Sequence, residues 1–221
     1  MTVLEALLAF ALVAGLLTLV PGLDTSLVLR ASVARSRSYA WATAFGIATG
    51  AMIWGIAAAA GISALLTASE LAYRLLTTAG AAYMLWLGAS LIWKATRGGG
   101  APGGIEPDAT QATSPLWRGY AIGVGTNLLN PKVGVFYIAT IPQFLPPGTS
   151  PLLMGAALAA VHGVLTLLWF GVVIFGGSHA QRAITNPRTL TAIDSVTGLV
   201  LIGFGATLLT DALGSSRATT P

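Results

Sequence analysis

The chain has 221 residues, 55% of them hydrophobic and 8% charged, with a mean hydropathy of +0.79. A soluble domain carries about a quarter charged residues, so a soluble globular fold is excluded. The net charge of +4 comes from 11 Lys and Arg scattered between apolar runs, which argues against nucleic acid as a partner, and the absence of cysteine removes disulfides, thiolate metal sites and dithiol redox chemistry.

A membrane-spanning helix needs roughly 20 mostly apolar residues. Six runs reach that length: Leu4 to Leu29, Ala40 to Leu66, Leu71 to Trp93, Leu116 to Ile141, Leu152 to Gly176 and Leu190 to Leu213. The first follows Met1-Thr2-Val3-Leu4-Glu5, with no basic residue ahead of it, and reads as a retained span rather than a cleaved signal. After the third comes the only long polar connection, residues 94–115, whose Gly98-Gly99-Gly100-Ala101-Pro102-Gly103-Gly104 reads as a flexible linker. The chain is therefore expected to be one all-α integral membrane domain of six helices over residues 1–221. Its first half covers about 1–93, its linker 94–115, its second half about 116–213 and a short tail 214–221.

Basic residues set the orientation. Arg30, Arg35 and Arg37 follow the first run, Lys94, Arg97 and Arg118 flank the linker, and Arg182 and Arg188 follow the fifth run, whereas the opposite side holds only Arg74 and Arg217. Both termini are thus expected outside the cytoplasm. Three spans per half make two inverted repeats geometrically available. Gly88-Ala89-Ser90-Leu91-Ile92 and Gly205-Ala206-Thr207-Leu208-Leu209, near the ends of the third and sixth runs, hint at one.

The first run of each half is interrupted, by Pro21-Gly22-Leu23-Asp24 and by Asn127-Leu128-Leu129-Asn130-Pro131-Lys132. Proline removes a backbone donor and crowds the preceding turn, so carbonyls near Thr18 and Asn127 are expected to lose their helical partners at Pro21 and Pro131, with Gly22 easing the first break. Broken helices at matching positions in two repeats point to a transport site, because irregular backbone survives at membrane depth only against protein or a water-filled cavity. Asp24 and Lys132 would each cost about 2.5–3.5 kcal/mol facing lipid at mid-membrane, so they are expected to face a polar cavity. There Asp24 would contact a substrate amine or carry a coupling proton, while Lys132, Asn127 and Asn130 orient a carboxylate. Thr25, Thr49 and Gln143 are further candidates for the cavity wall. The bland alternative is that Asp24 and Lys132 cap helices or pair with each other. Asp194 reads as a helix N-cap, and His162 as a proton relay or as a histidine bonded to a neighbouring helix.

The pairs Gly46 and Gly50, Gly119 and Gly123, and Gly198 and Gly203 suit close helix contacts, within one chain or in a homodimer. Trp41, Trp93 and Trp117 read as interfacial anchors, and Trp54, Trp86 and Trp169 as packing residues. No nucleophile elbow, zinc-protease motif, phosphate loop or carboxylate cluster for two metals occurs, so neither an enzyme nor a bound metal or cofactor is indicated, and transport would be secondary.

Several of these segments resemble the LysE/RhtB superfamily of amino-acid exporters, along nearly the whole chain. The residues that carry the likeness are Pro21-Gly22-Leu23-Asp24-Thr25, Gly46-Ile47-Ala48-Thr49-Gly50, Ala79-Gly80-Ala81-Ala82-Tyr83-Met84-Leu85-Trp86-Leu87-Gly88 and Thr126-Asn127-Leu128-Leu129-Asn130-Pro131-Lys132. Ile141-Pro142-Gln143-Phe144 and Asp194-Ser195-Val196-Thr197-Gly198 extend it. The resemblance implies a bacterial inner-membrane exporter, proton-driven, for amino acids, homoserine-type compounds or their relatives. The family usually reads Pro-Gly-Pro where this chain has Pro21-Gly22-Leu23, so a second proline is missing. Two other readings stand beside an amino-acid exporter: an inorganic-ion exporter, which would favour more intramembrane acids or thiolates, and a non-transporting accessory subunit held by its glycine faces.

Overall fold

Helix ends are set by short capping residues that the apolar runs leave between them. In the computed structural model, which describes residues 1–97 and 115–215 with the last five by backbone alone, every regular element is a helix. Helix α1 (Val3–Leu19) opens with a capping box, in which the Glu5 N–H donates to Thr2 Oγ1 and the Thr2 N–H to Glu5 Oε2. It is followed by α2 (Leu23–Ala34), α3 (Arg37–Ala68) and α4 (Glu70–Thr96), the last two capped by Ser36 and Ser69. Helices α5 (Leu116–Leu128) and α6 (Pro131–Thr140) lead through a 3-10 turn (Ile141–Phe144) to α7 (Pro151–Thr185) and α8 (Pro187–Ser215).

Helices α3, α4, α7 and α8 are each long and apolar enough to cross a membrane, and α1 with α2 makes a fifth when that pair, bent by 58°, counts as one span. The run expected as a fourth span is divided into α5 and α6, each shorter than the roughly 20 residues a crossing requires. Apolar side chains cover the outside as well as the core: Leu8, Leu71, Leu153, Leu168 and Leu199 are all more than 60% exposed. A helix apolar on every face is stable only with lipid around it, so this is a membrane protein.

Small residues fix how the helices cross. A Cβ on Gly123 would collide with the Thr43 carbonyl, one on Gly46 with the Tyr120 carbonyl, and one on Gly50 would lie 2.8 Å from Asn127 Oδ1. Residue numbers rise together along this contact, so α3 and α5 run parallel. Gly55 meets Ala159 and Gly155 meets Ala59, so α3 and α7 are antiparallel. Gly88 and Gly198 face each other, each 2.6 Å from the other's carbonyl oxygen if given a Cβ, and Gly205 meets Ala81 and Leu85, making α4 and α8 antiparallel. Close backbone approach of this kind is how helices associate where lipid removes the hydrophobic incentive.

The buried side chains form two clusters. One gathers Phe10, Phe136, Phe144, Leu158 and Leu201 from α1, α6, the 3-10 turn, α7 and α8, with the Phe10 and Phe144 rings edge-on at 5.4 Å. The other joins Val28 and Leu29 of α2 to Ile47 of α3 and Phe170, Val173 and Ile174 of α7.

Several expectations need correction. Lys94 lies in the last turn of α4 rather than in the linker, and residues 98–114 and 216–221 of the expected linker and tail lie outside the described residues. Asp194 is not an N-cap: α8 begins at Pro187, the Asn186 side chain accepts from the Arg188 N–H, and Asp194 sits inside the helix, buried, with its Oδ2 3.7 Å from Lys94 Nζ. Gly203 has no close neighbour, and Trp86 is exposed on the outer face instead of packed. Helix α7 runs past the apolar stretch ending at Gly176, but Gly177 at φ 48°, ψ −126° breaks its course at that boundary, a conformation open to glycine. That places Arg182 inside a helix rather than in a loop.

Candidate functional site

Both chain breaks occur where the prolines require them. A helix continued through residue 21 would bond its N–H to the Leu17 carbonyl; Pro21 has no N–H, so α1 stops at Leu19, and Gly22 in extended conformation starts α2. At the second break Pro131 occupies the first turn of α6, and Asn130 caps it, its Oδ1 accepting from the Lys132 N–H at 3.1 Å. The Asn127 carbonyl is not left free, since it accepts from the Asn130 N–H at 3.1 Å. The single proline at Pro21-Gly22-Leu23 thus suffices for a sharp break.

Lys132 spans the two breaks. Its ammonium donates to the Leu17 carbonyl at 3.2 Å and to the Val20 carbonyl at 3.3 Å, replacing the donor that Pro21 lacks and placing a cation at the negative end of α1. Two of its three N–H groups are committed to this cap. No Asp24–Lys132 ion pair forms among the described residues, so the capping half of the bland alternative holds for Lys132 and the pairing half does not.

Asp24 sits in the first turn of α2, where the uncapped helix N-terminus favours a carboxylate. Its Oδ2 accepts from Asn127 Nδ2 of α5 at 2.9 Å. The other oxygens of this pair, Asp24 Oδ1 and Asn127 Oδ1, are both buried and have no hydrogen-bond partner. The Asn130 side chain completes no bond to Asp24 Oδ1 either. Buried acceptors without donors are rare in native structures and mark places where something else supplies the donor.

These groups face a common cavity of about 50 Å³, lined by Asp24, Thr25, Asn127, Asn130 and Lys132 together with Leu17, Thr18, Val20, Gly22, Ile47, Ala51, Val133, His162, Thr166 and Phe170. It exceeds the roughly 10–15 Å³ that a polar cavity needs to hold water. The lining draws on both hydrophobic clusters, Leu17 and Val133 from the first and Ile47 and Phe170 from the second, so the cavity lies on the seam between them.

Two candidates fall elsewhere. Thr49 donates to the Phe45 carbonyl and accepts from the Tyr120 hydroxyl at 3.0 Å, and Gln143 Nε2 donates to the Thr77 carbonyl at 2.9 Å, tying the 3-10 turn to α4. Both make helix-to-helix bonds away from the cavity wall.

His162 reaches the cavity from α7 with both ring nitrogens engaged. Nδ1 lies 2.8 Å from the Tyr137 hydroxyl and Nε2 3.2 Å from Thr18 Oγ1. The Thr18 hydroxyl proton is spent on the Ala14 carbonyl, so Nε2 is the donor to Thr18 and Nδ1 accepts from Tyr137. That assignment bonds the histidine to α1 and α6 at once and favours the packing reading over a relay.

Thr25 and Thr166 differ from most helical threonines here. Thr18, Thr43, Thr49 and Thr140 return their hydroxyls to the carbonyl one turn back, whereas Thr25 and Thr166, buried at 4% exposure, have no hydrogen bond among the described residues and face the cavity.

With this geometry in hand, comparison with known proteins is decisive about kinship. The family profile described as LysE type translocator matches residues 15–212. The chain belongs to the LysE type translocator family. The match runs through both breaks and all the cavity residues named above. A homoserine/homoserine lactone efflux protein of Salmonella typhimurium is 31% identical over 90% of this chain and 94% of its own length. A leucine efflux protein of Enterobacter sp. is 27% identical over 87% and 89%. An uncharacterized membrane protein YrhP of Bacillus subtilis is 26% identical over 91% and 97%. No solved structure matches the chain.

Of the residues that line this cavity, the sequence reading named Asp24, Thr25, Asn127, Asn130 and Lys132 as candidates. It named Thr18 only for its backbone, and did not propose Ile47, Ala51, Thr166 or Phe170 for the cavity wall. A signal for the α7 face existed in the helical spacing of His162, Thr166 and Phe170, each one turn from the next.

Proposed function

We propose that the chain is a secondary exporter of amino acids or closely related amino-containing metabolites, acting in the inner membrane of a bacterium and drawing on the proton gradient. The observation that carries this reading is the pair of buried, unpartnered acceptors, Asp24 Oδ1 and Asn127 Oδ1, at the joint of two broken helices. An ammonium group offers the donors and the charge these oxygens lack. Asn127 then belongs to the ammonium end rather than the carboxylate end, because its amide nitrogen is already spent on Asp24. The substrate carboxylate is left to the third N–H of Lys132, the Thr25 hydroxyl and the positive end of α2. The leucine and homoserine efflux relatives support the same solute class.

Six passes in two inverted halves, with periplasmic termini, complete the proposal. The helix directions support it: α5 runs parallel to α3, while α7 is antiparallel to α3 and α8 to α4, as alternating passes demand. A metal-ion exporter fits less well, because one carboxylate and one amide oxygen beside a histidine whose nitrogens are both engaged make a poor metal shell.

The test is efflux from bacteria lacking their own exporters and loaded with amino acids through dipeptides. The native protein should accelerate loss of at least one amino acid and Asp24→Asn should abolish that gain at equal membrane levels. If no amino acid leaves faster, or if Asp24→Asn and Lys132→Ala both export normally, the assignment is wrong.

A further inference from the structure

We propose that the cavity admits amino acids with uncharged side chains and rejects basic ones, with Thr166 as a position that sets this choice. The proposal rests on the exporter reading above. Asp24 and Lys132 are the two charged side chains that line the cavity; the remaining polar lining is hydroxyl, amide and imidazole. An amino acid's own ammonium and carboxylate use one charge each and leave the site neutral. A side-chain ammonium would find no second carboxylate, because Asp194, which also acts on Lys132 electrostatically, lies off the cavity wall and is paired with Lys94. It would instead add a second cation to a site that already holds Lys132. An unpaired charge at mid-membrane depth is disfavoured by about 100-fold in binding.

The α7 stripe shows where a side chain would go. His162, Thr166 and Phe170 succeed one another by single turns, so the wall changes from polar to apolar across Thr166. Beyond it Ile47 and Phe170, buried at 1% and 2% exposure, present hydrocarbon. Thr166 has a hydroxyl without a protein partner at that boundary, and aspartate is close to it in size. A carboxylate there would supply the counter-charge that a basic side chain lacks.

The experiment is counterflow in liposomes holding the purified full chain, with labelled leucine, threonine, lysine and glutamate each tested against the same unlabelled amino acid inside. The native protein should exchange leucine or threonine, and lysine about 100-fold more slowly. Thr166→Asp should raise the lysine-to-leucine rate ratio by at least about 10-fold, the equivalent of one favourable charge contact, and the isosteric neutral Thr166→Asn should leave the ratio unchanged. Lysine exchange by the native protein within about 10-fold of the neutral amino acids overturns the selectivity while leaving the exporter reading intact. So does a Thr166→Asp protein that still transports without any rise in the ratio. Exchange of no amino acid at all overturns both. If Thr166→Asp does not fold, the native panel alone decides.

Discussion

Pro21, in the break after α1, and Lys132, in α6, both bear on one atom, the Leu17 carbonyl oxygen, and this makes a double-mutant cycle informative. In the native chain that oxygen has no helical donor because residue 21 is proline, and it is bonded instead by Lys132 Nζ at 3.2 Å. Replacing Lys132 by Met removes the ammonium while keeping most of the side chain's apolar stem, and leaves both Leu17 and Val20 carbonyls without a donor, at about 1–3 kcal/mol each. Part of that loss is offset because the buried ammonium no longer has to be desolvated. Pro21→Ala restores an N–H at position 21 and lets the helix bond the Leu17 carbonyl itself. In the Pro21→Ala background the Lys132→Met change should therefore cost about 1–3 kcal/mol less than in the native chain, one carbonyl's worth. Unfolding of the four proteins in mixed detergent micelles, followed by helical circular dichroism against denaturant, gives the coupling energy. Effects that add to within about 0.5 kcal/mol would refute the argument that Lys132 replaces the missing helical donor.

Gly123→Ala should destabilise the fold by about 1–3 kcal/mol, since the added methyl meets the Thr43 carbonyl on a neighbouring rigid helix, whereas Gly61→Ala, with nothing within 4 Å, should be neutral or slightly stabilising; thermal unfolding in detergent ranks the two. Lys94→Met should destabilise more than Asp194→Asn, because it leaves a buried carboxylate unpaired. The cost falls below the roughly 3–5 kcal/mol of a fully buried pair, as Lys94 is half exposed, and Lys94→Met combined with Asp194→Leu should recover most of it in the same assay.

The features legible in the sequence are those that a single residue type enforces locally. Pro21 and Pro131 break their helices because proline has no N–H to give, and the sequence shows where each lies. The small residues at Gly46, Gly50, Gly119 and Gly123 announce close packing by their spacing, although the fact that one pair seats against the other on a parallel helix comes only with the fold. Asp24 and Lys132 stood out as charges too deep for a loop. Their division of labour did not, because Lys132 caps a helix that ended more than a hundred residues earlier, a partnership that no local pattern encodes. Thr166 escaped notice for a related reason: a threonine in an apolar helix ordinarily returns its hydroxyl to the preceding turn, and only the tertiary structure reveals that this one does not. Thr49 and Gln143 looked equally eligible for the cavity, yet each takes part in a helix-to-helix bond away from its wall.

The cavity's position on the seam between two hydrophobic clusters follows from the same breaks. A continuous α1 would carry one apolar face through the whole bundle and join the clusters into one. Interrupting it at Pro21, and interrupting α5 from α6 at Asn130, leaves free carbonyls and helix ends that must be satisfied by polar side chains, and those side chains displace hydrocarbon from a layer between the clusters. The clusters themselves are close-packed and resist deformation, as the aromatic set around Phe10 and the glycine-lined crossings of α3 and α4 show.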